Sequence, residues 1–246
     1  MSPSPPWYDR FFSHEYLAFD DHPHTALETD FIFTVLSPSP NCQLLDLGCG
    51  YGRHAIPLAE KGLNVTGLDR SSVLLAEANA RSNGNNPTFE QGDMRDLPYT
   101  KDFDAIISMF SSLGYFEDET ENFAVFQNIA DALKPKGKLL IETANRDFIV
   151  RHNPPVQIYR PEGMLLIEER AFDGLTGHSH VDVTIIKDGV ETHLQHTIRL
   201  YTPTELDLLL ASVGLFTINV WGDFRGGEFT SDSPSLILLA EKIDET

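Results

Sequence analysis

Cysteine is scarce in this sequence, which has only Cys42 and Cys49 among its 246 residues. Two cysteines cannot form the disulfide framework of a small secreted domain, and neither has the neighbours of a zinc knuckle or a redox pair. We therefore expect no structural metal, and a protein that works in a reducing compartment, the cytoplasm.

Basic residues are also few: 18 lysines and arginines stand against 37 acidic residues, which gives a formal net charge of -19. They form no run of the kind that follows a phosphate backbone. A strongly acidic chain repels nucleic acid and anionic lipid surfaces, so neither is expected as a partner. The charge favours a small-molecule or cationic substrate, although an acidic surface can also serve solubility alone.

Long hydrophobic runs are missing as well. The longest apolar segments, residues 44–47 and 236–240, have the length of strands rather than of membrane spans. Residues 1–6 are rich in proline and lack the basic region and the apolar core of a signal peptide. We expect neither a membrane segment nor export, and a chain of this length fits one domain with additions.

What the chain does contain, from residue 43 onward, is an alternation of short apolar runs and helical stretches. Strands buried in a parallel sheet are apolar on both faces, so this alternation predicts βαβ units and an α/β core. The predicted strands cover residues 44–47, 65–68, 88–91, 103–109, 138–143, 216–221 and 235–240, and the predicted helices cover residues 55–61, 73–81, 119–133 and 204–213.

Two segments stand outside this alternation. Aromatic and aliphatic residues occur at mostly helical spacing over 7–19 and 25–36, with a break at Asp20 and Asp21, and predict an N-terminal helical cap. Helical spacing disappears between residues 145 and 200. Alternating patterns there predict an antiparallel β insertion with strands over 164–172, 178–187 and 190–200.

The insertion carries four histidines, at positions 178, 180, 193 and 196, which raise the question of a metal site. Asp188-Gly189 is a dipeptide favoured in two-residue hairpin turns. Pairing around that turn places His178 opposite Arg199 and His180 opposite Thr197. The four side chains then do not converge, so exposed strand histidines are favoured over a zinc or iron site.

The most informative segment follows the first predicted strand and has glycine at alternate positions: Asp46-x-Gly48-x-Gly50-x-Gly52. Such glycines let the chain turn sharply and let a ligand lie against the main chain. The turn lies at the carboxyl end of a strand, where open α/β sheets bind ligands. The strict dinucleotide spacing G-x-G-x-x-G fails, because it requires glycine at the position of Arg53.

With this turn the sequence resembles motif I of the class I S-adenosylmethionine-dependent methyltransferases. Asp69 ends the second strand, at the distance where an acid can accept hydrogen bonds from ribose hydroxyls. Asp93 and Met94 follow the third strand and look like the adenine-recognition segment of the same family. The resemblance spans residues 43–144 and 201–242, with its motifs in the family's order.

The resemblance implies a doubly wound, seven-stranded, mostly parallel sheet with S-adenosyl-L-methionine as cofactor. The expected divisions are a helical cap over 1–40, a cofactor-binding core over 41–144 and 201–246, and the antiparallel insertion over 145–200. We expect this insertion to cover the acceptor site as a flap or to join two subunits in a homodimer.

The candidate cofactor-binding residues follow from the same resemblance. Tyr8 and Tyr16 in the cap are placed at the carboxylate of the cofactor, as is Arg53, with simple packing or exposure as the alternative for each. The full set of candidates is Tyr8, Tyr16, Asp46, Gly48, Cys49, Gly50, Gly52, Arg53, Asp69, Arg70, Asp93, Met94 and Met109.

The implied reaction is a direct displacement, in which a nucleophile attacks the methyl carbon of a sulfonium. It needs no metal, so the protein's work is positioning, desolvation and, for some acceptors, removal of a proton. His14, His152 and Glu142 are candidate bases near the expected mouth of the site. The sequence does not rank them, and it identifies neither a catalytic residue nor the methyl acceptor.

Two other functions stay open beside a small-molecule methyltransferase. One is an NAD(P)-dependent oxidoreductase, against which Arg53 and the Gly92-Asp93-Met94 segment both argue. The other is a non-catalytic S-adenosylmethionine-binding protein, because an intact cofactor motif establishes binding and not transfer.

Overall fold

The computed structural model describes residues 5–19, 22–161 and 163–243, so the predicted break at Asp20 and Asp21 lies outside the described residues. The helices in chain order are α1 (Trp7–Phe11), α2 (His14–Phe19), α3 (Thr25–Leu36), α4 (Ala55–Glu60), α5 (Ser72–Arg81), α6 (Glu119–Ala132), α7 (Arg146–His152) and α8 (Pro203–Ser212). The strands are β1 (Gln43–Leu47), β2 (Asn64–Asp69), β3 (Thr88–Gln91), β4 (Phe103–Ser108), β5 (Leu133–Ala144), β6 (Val156–Tyr159), β7 (Met164–Asp173), β8 (His178–Lys187), β9 (Val190–Arg199), β10 (Leu215–Trp221) and β11 (Ser235–Lys242).

Seven strands form one sheet in the order β10-β11-β5-β4-β1-β2-β3. The strands from β5 to β3 pair in parallel, whereas β11 pairs antiparallel with both β5 and β10. The strand order reverses at β1, and such a switch point is where open α/β sheets bind ligands. The predicted α/β class and the mostly parallel seven-stranded sheet are confirmed.

Helices cover both faces of this sheet, which explains why its central strands are largely apolar. In β1, Leu45 and Leu47 pack in one cluster with Phe126 of α6, whereas Leu44 packs with Ile32 of α3 on the opposite face. Full burial of such a side chain contributes about 1.5–3 kcal/mol. The end of β1, and the turn that follows it, is therefore held from both sides.

Strands β6–β9 form a second, antiparallel sheet, called the insertion sheet below. The hairpin between β8 and β9 turns at Asp188 and Gly189, whose φ angles are 52° and 76°, as the predicted two-residue turn requires. The register places His178 opposite Arg199, also as predicted. Buried and more exposed side chains alternate along the whole of β8, and its pairing with β7 and β9 contains no bulge.

One face of the insertion sheet is buried against the cap helices α1 and α2. Val181, Val183 and Ile185 of β8 share a hydrophobic cluster with Phe11 and Tyr16 of the cap. These odd-numbered residues lie on one face because side chains alternate along a strand. The insertion sheet therefore supports the cap, which lies next to the carboxyl ends of the core strands.

The single helix predicted over 7–19 is wrong, because α1 and α2 are separated at Phe12 and Ser13. Phe12 leaves the helical conformation, with φ of -82° and ψ of 69°. Its main-chain oxygen accepts a hydrogen bond from the Ser71 hydroxyl at 2.7 Å. A tertiary contact thus overrides a local helical pattern.

Two elements interrupt the region where helical spacing disappears, namely α7 and β6. None of the residues of α7 is buried, so no apolar periodicity marks it, and the expectation of no helix there was wrong. Its start is fixed instead by Asn145, whose side chain accepts a hydrogen bond from the Asp147 N–H at 3.1 Å. Strand β6 has only four residues at the edge of the insertion sheet and is largely exposed.

Candidate functional site

A cavity of about 600 Å³ lies between the carboxyl ends of β1–β4 and the cap helices. Its size is that of a cofactor or small-ligand pocket. Eleven of the thirteen candidate residues line it: Tyr8, Tyr16, Gly48, Cys49, Gly50, Arg53, Asp69, Arg70, Asp93, Met94 and Met109.

The glycine-rich turn after β1 is fastened to the end of β2. The Gly50 N–H donates to one carboxylate oxygen of Asp69 and the Ser71 N–H to the other, each at 2.8 Å. Gly48 has a φ of 77°, and a Cβ atom there would lie 2.8 Å from the side chain of Ser112. The Arg70 N–H also donates to this carboxylate. A carboxylate accepts about four hydrogen bonds, so Asp69 keeps an acceptor site for a ligand.

Asp93, which follows β3, is held by two arginines. The Arg95 side chain contacts both carboxylate oxygens, at 2.6 and 3.0 Å, and Arg70 contacts one of them at 2.6 Å. The hydrogen bonds from Arg95 outweigh the effect of partial burial and lower the pKa of Asp93. The cavity wall therefore carries an ionised acceptor at neutral pH.

Arg53 extends from the glycine-rich turn toward α3. It forms an ion pair with Glu28 and a 3.2 Å hydrogen bond to the Thr25 hydroxyl. Its guanidinium lies 5.3 Å from the centre of the Phe110 ring. The same Glu28 carboxylate lies 2.8 Å from Nε2 of His54. These contacts fix the Arg53 cation at the cavity wall.

The protonation states of Glu28 and His54 are set by burial and by contacts with each other and with the Arg53 cation. Burial alone would raise the pKa of Glu28, but the His54 hydrogen bond and the charge of Arg53 outweigh it and lower that pKa to about 2. Burial lowers the pKa of His54 to about 4. The imidazole is therefore neutral at pH 7, with its Nε2–H donating to an ionised Glu28.

Asp46 and Gly52, the other two candidates, do not line this cavity. Asp46 is 1% exposed and shares the face of β1 that carries Leu44, toward α3. Its Oδ2 atom has no hydrogen-bond partner among the described residues, and burial raises its pKa to about 7. Gly52 lines a smaller cleft that shares Tyr51 and Arg53 with the cavity.

Aromatic contacts join the cap helices to the segment after β4. The Trp7 indole N–H donates to the main-chain oxygen of Tyr115 at 3.3 Å, and the Phe12 ring stacks on the Tyr115 ring with centroids 5.7 Å apart. Tyr8 packs edge-on against Phe116. The position of the cap and the shape of the cavity are thus linked.

The three candidate bases, His14, His152 and Glu142, lie outside the cavity lining. Both histidines are exposed. Glu142 is buried and accepts hydrogen bonds from the Phe110 N–H at 2.7 Å and the Ser235 hydroxyl at 2.8 Å. It shapes the chain after β4 rather than facing the cavity.

No pattern in the sequence marks the segment after β4, yet Phe110, Ser112, Tyr115 and Phe116 all line the cavity. Phe110 and Ser111 have φ angles of 58° and 57°. Residues other than glycine pay about 1–3 kcal/mol for such a conformation, which concentrates at functional sites. These residues were not predicted from the sequence; the signal that could have found them is position, because this loop leaves the same sheet edge as the glycine-rich turn.

The polar side chains of the cavity lining are those of aspartate, arginine, serine, tyrosine, histidine, glutamine and cysteine residues. Within residues 5–19, 22–161 and 163–243, no group of three or more histidine, cysteine, aspartate or glutamate side chains is arranged to hold a metal ion. In the same ranges, no helix has the length and the apolar composition that crossing a membrane requires.

The sequence of the core is similar to known proteins. Residues 44–137 match the family described as a methyltransferase domain. The chain is 29% identical over 227 residues to the glycine/sarcosine N-methyltransferase of Halorhodospira halochloris, covering 87% of this chain and 81% of that protein. It is 34% identical over 120 residues to the dTDP-3-amino-3,4,6-trideoxy-alpha-D-glucopyranose N,N-dimethyltransferase of Streptomyces venezuelae, covering 48% of this chain and 50% of that protein.

The fold is similar to that of a solved structure over nearly the whole chain. The CcbJ methyltransferase from Streptomyces caelestis matches with a TM-score of 0.84 at 20% identity, covering 97% of this chain and 99% of that one. At this identity the likeness shows the fold. The family match begins in β1 and includes the glycine-rich turn, Asp69 and Asp93, so the strand ends that form the cavity all belong to it.

Proposed function

We propose that this chain, an S-adenosylmethionine-dependent methyltransferase of the class I, Rossmann-like type, binds its cofactor at the ends of β1–β4 and methylates a small-molecule acceptor beside it. One observation carries the proposal. The glycine-rich turn, Asp69 and Asp93, which are separate along the sequence, line one cavity at the switch point of the sheet.

The residues at one end of the cavity fit an adenosine. The acceptor site left on the Asp69 carboxylate suits a ribose hydroxyl. The main chain at Gly48 and Gly50 lets a ligand approach without Cβ atoms. Asp93 offers a carboxylate to the adenine amino group, and the flexible thioether of Met94 suits contact with a flat ring.

The residues at the other end fit an amino acid group. Arg53, fixed by Glu28 and Thr25, presents a cation to a carboxylate. Tyr8 and Tyr16 line the same cavity from the cap. We assign the remaining wall to Cys49, Arg70 and Met109, while Asp46 and Gly52 act on the turn from outside the cavity.

When bound, the cofactor supplies a methyl carbon that its positive sulfur has already activated. The contribution of the protein is then to orient the acceptor and to exclude water. Phe12, Phe110 and Tyr115 place aromatic rings in the cavity lining, next to the polar groups named above. An aromatic wall desolvates a nucleophile without a competing hydrogen bond, which favours attack.

A small acceptor is favoured by the size of the cavity and by charge. A volume of about 600 Å³ accommodates a cofactor and a compact molecule, not a folded polymer. The net charge of -19 disfavours nucleic acid. The two relatives named above are N-methyltransferases with small-molecule names.

The segments outside the core are proposed to cover and support this site. The cap over 1–40 and the insertion over 145–200 adjoin a core formed by 41–144 and 201–246. The insertion sheet contributes no residue to the described cavity lining but packs against α1 and α2, so its proposed role as a flap on the acceptor side acts through these two helices. Its alternative role, a homodimer interface, is tested by the mass of the protein in solution. The cytoplasm is the location that the composition favours.

Ligand binding and methyl transfer test the proposal separately. In titration calorimetry, S-adenosylmethionine and S-adenosylhomocysteine should bind and NAD should not. Tight NAD binding without binding of either sulfur ligand contradicts the proposal and favours an oxidoreductase. Methyl-labelled cofactor incubated with a panel of small amines and hydroxyl compounds then identifies the acceptor class, and binding without transfer favours the non-catalytic alternative.

A further inference from the structure

The carboxylate of Asp93 has no acceptor site left for a ligand. Its Oδ1 accepts from the Arg95 main-chain N–H at 2.9 Å and from Arg95 Nε at 3.0 Å. Its Oδ2 accepts from Arg95 Nη2 and from Arg70 Nη1, both at 2.6 Å. A carboxylate offers about four lone-pair sites, so a further donor can bind only where one of these leaves.

Arg95 is the donor that we expect to remain on Asp93 when a ligand binds. Besides its contacts with Asp93, it forms a 2.6 Å ion pair with Glu121 of α6, and its guanidinium lies 4.5 Å from the centre of the Phe116 ring. Its main-chain N–H closes a turn with the Asp93 side chain. Displacing Arg95 would break contacts with the core on several sides.

Arg70 is the donor that can leave, because it has a second partner of its own. Its Nε and Nη2 atoms contact the two carboxylate oxygens of Asp9 in α1, at 2.5 and 3.3 Å. Its guanidinium also lies 5.3 Å from the centre of the Tyr8 ring, in the same helix. The Arg70 side chain is 44% exposed, so its movement displaces no packed core.

We propose that Arg70 is a positioning residue that couples recognition of the adenine to closure of the cap. Resting on the proposed function, the inference is that the adenine amino group donates to Asp93 in place of Arg70. The Arg70 guanidinium then pairs with Asp9 alone. Asp93 stays neutralised by Arg95, and α1 is held more firmly over the bound ligand.

This coupling has a chemical requirement that distinguishes nucleobases. Only a base with a hydrogen-bond donor at this edge can take the place of Arg70 on Asp93. Unsubstituted purine carries only a hydrogen atom on C6 where adenine carries the amino group, and its N1 is an acceptor, so this base offers Asp93 no N–H donor. The 6-deamino analogue of S-adenosylhomocysteine, in which purine replaces adenine, is therefore a probe that binds with Arg70 still on Asp93 and without tightening the cap.

A double-mutant cycle on the affinity for S-adenosylhomocysteine tests the proposal. Asp9→Asn should raise the dissociation constant about two- to five-fold, the range of an exposed ion pair. In the Arg70→Gln background the same substitution should have no effect, because the pair is already lost. An equal effect of Asp9→Asn in both backgrounds, or no effect in the wild type, overturns the proposal.

The 6-deamino ligand and a control variant complete the test. The penalty of Asp9→Asn should be present for S-adenosylhomocysteine and absent for its 6-deamino analogue, and equal penalties overturn the proposal. Asp30 is an exposed residue of α3 that pairs with Lys61. The Asp30→Asn variant should bind both ligands as the wild type does. A wild type that binds no S-adenosylhomocysteine contradicts the proposed function itself, whereas binding without an Asp9 effect overturns only the coupling.

Discussion

The N–H of Gly50 lies 2.8 Å from a carboxylate oxygen of Asp69, and this contact joins the turn after β1 to the end of β2. The Ser71 N–H binds the other oxygen at the same distance. The Asp69 side chain thus holds the glycine-rich turn in place and also faces the cavity as a hydrogen-bond acceptor. A substitution of Asp69 therefore acts on ligand affinity and on the turn together.

We expect Asp69→Ala to weaken the binding of S-adenosylhomocysteine by one to two decades. Hydrogen bonds to a charged acceptor contribute about 1.5–3 kcal/mol, which corresponds to that change. The fold should persist, because the buried apolar strands do not depend on this side chain, and circular dichroism checks it. Asp207→Ala, an exposed carboxylate on α8, is the matched control. An unchanged dissociation constant in Asp69→Ala removes this residue from the site.

Glu28→Gln should lower the free energy of unfolding by about 3 kcal/mol. Removing one partner of a buried ion pair leaves the other charge, here Arg53, without compensation. Asp30→Asn on the same helix removes an exposed partner of Lys61 and should cost less than about 1 kcal/mol. Denaturant unfolding of both variants measures the difference, and equal costs would mean that Arg53 finds another partner.

The effect of Glu28→Gln should also depend on pH in a defined direction. The pKa of Glu28 is about 2 in the folded protein, below its ordinary value of 4.5. A lowered acid pKa stabilises the folded state fully above the ordinary value, and this contribution is lost as the pH falls toward the folded value. The difference between wild type and variant should therefore shrink between pH 4.5 and 2. A constant difference over this range argues against an ionised Glu28.

Asp46→Asn should show the opposite pH dependence. Burial raises the pKa of Asp46 from 3.8 to about 7, so the folded state holds its proton more tightly than the unfolded state. That contribution is complete below pH 3.8 and is lost as the pH rises to about 7. The variant does not ionise, so its advantage should grow over this range by at most about 1.4 kcal/mol per pH unit and then level off. Denaturant unfolding at several pH values measures it, with Asp207→Asn as control.

Local sequence patterns predicted the parts of the fold that apolar burial decides. Strand β1 is largely apolar because both its faces are covered, and β8 alternates because one of its faces is covered. The predicted bounds of both strands agree with the structure to within a residue. Helix α7 buries no residue, so it leaves no such pattern. Local spacing also could not show that Phe12 leaves the helix to meet Ser71.

The candidate site likewise contains residues that local sequence patterns predicted and residues that they did not. Turn glycines and strand-end acids are marked by local motifs, and the cavity lining contains most of them. The partners that set their charges are distant in sequence: Arg70 contacts Asp9 from 61 positions away, and Arg53 contacts Glu28 from 25. Such contacts arise from packing of the cap on the core, which no local pattern encodes.

The insertion sheet supports the cap through the residues on one of its faces. Ile185 is 5% exposed and lies in the cluster with Phe11 and Tyr16, whereas Ile186 is on the opposite face of the same strand. Ile185→Ala should cost about 2–5 kcal/mol of stability and Ile186→Ala much less, because only the first leaves a buried cavity.

The two isoleucine variants also separate a flap from a sheet that serves assembly. If the insertion sheet holds α1 over the ligand, Ile185→Ala should raise the dissociation constant of S-adenosylhomocysteine under conditions where it stays folded, and Ile186→Ala should not. If the outer face joins two subunits, Ile186→Ala should instead change the mass in solution, measured by light scattering. Loss of stability in Ile185→Ala with unchanged affinity contradicts the flap, because the cap would then close without support from the sheet beneath it.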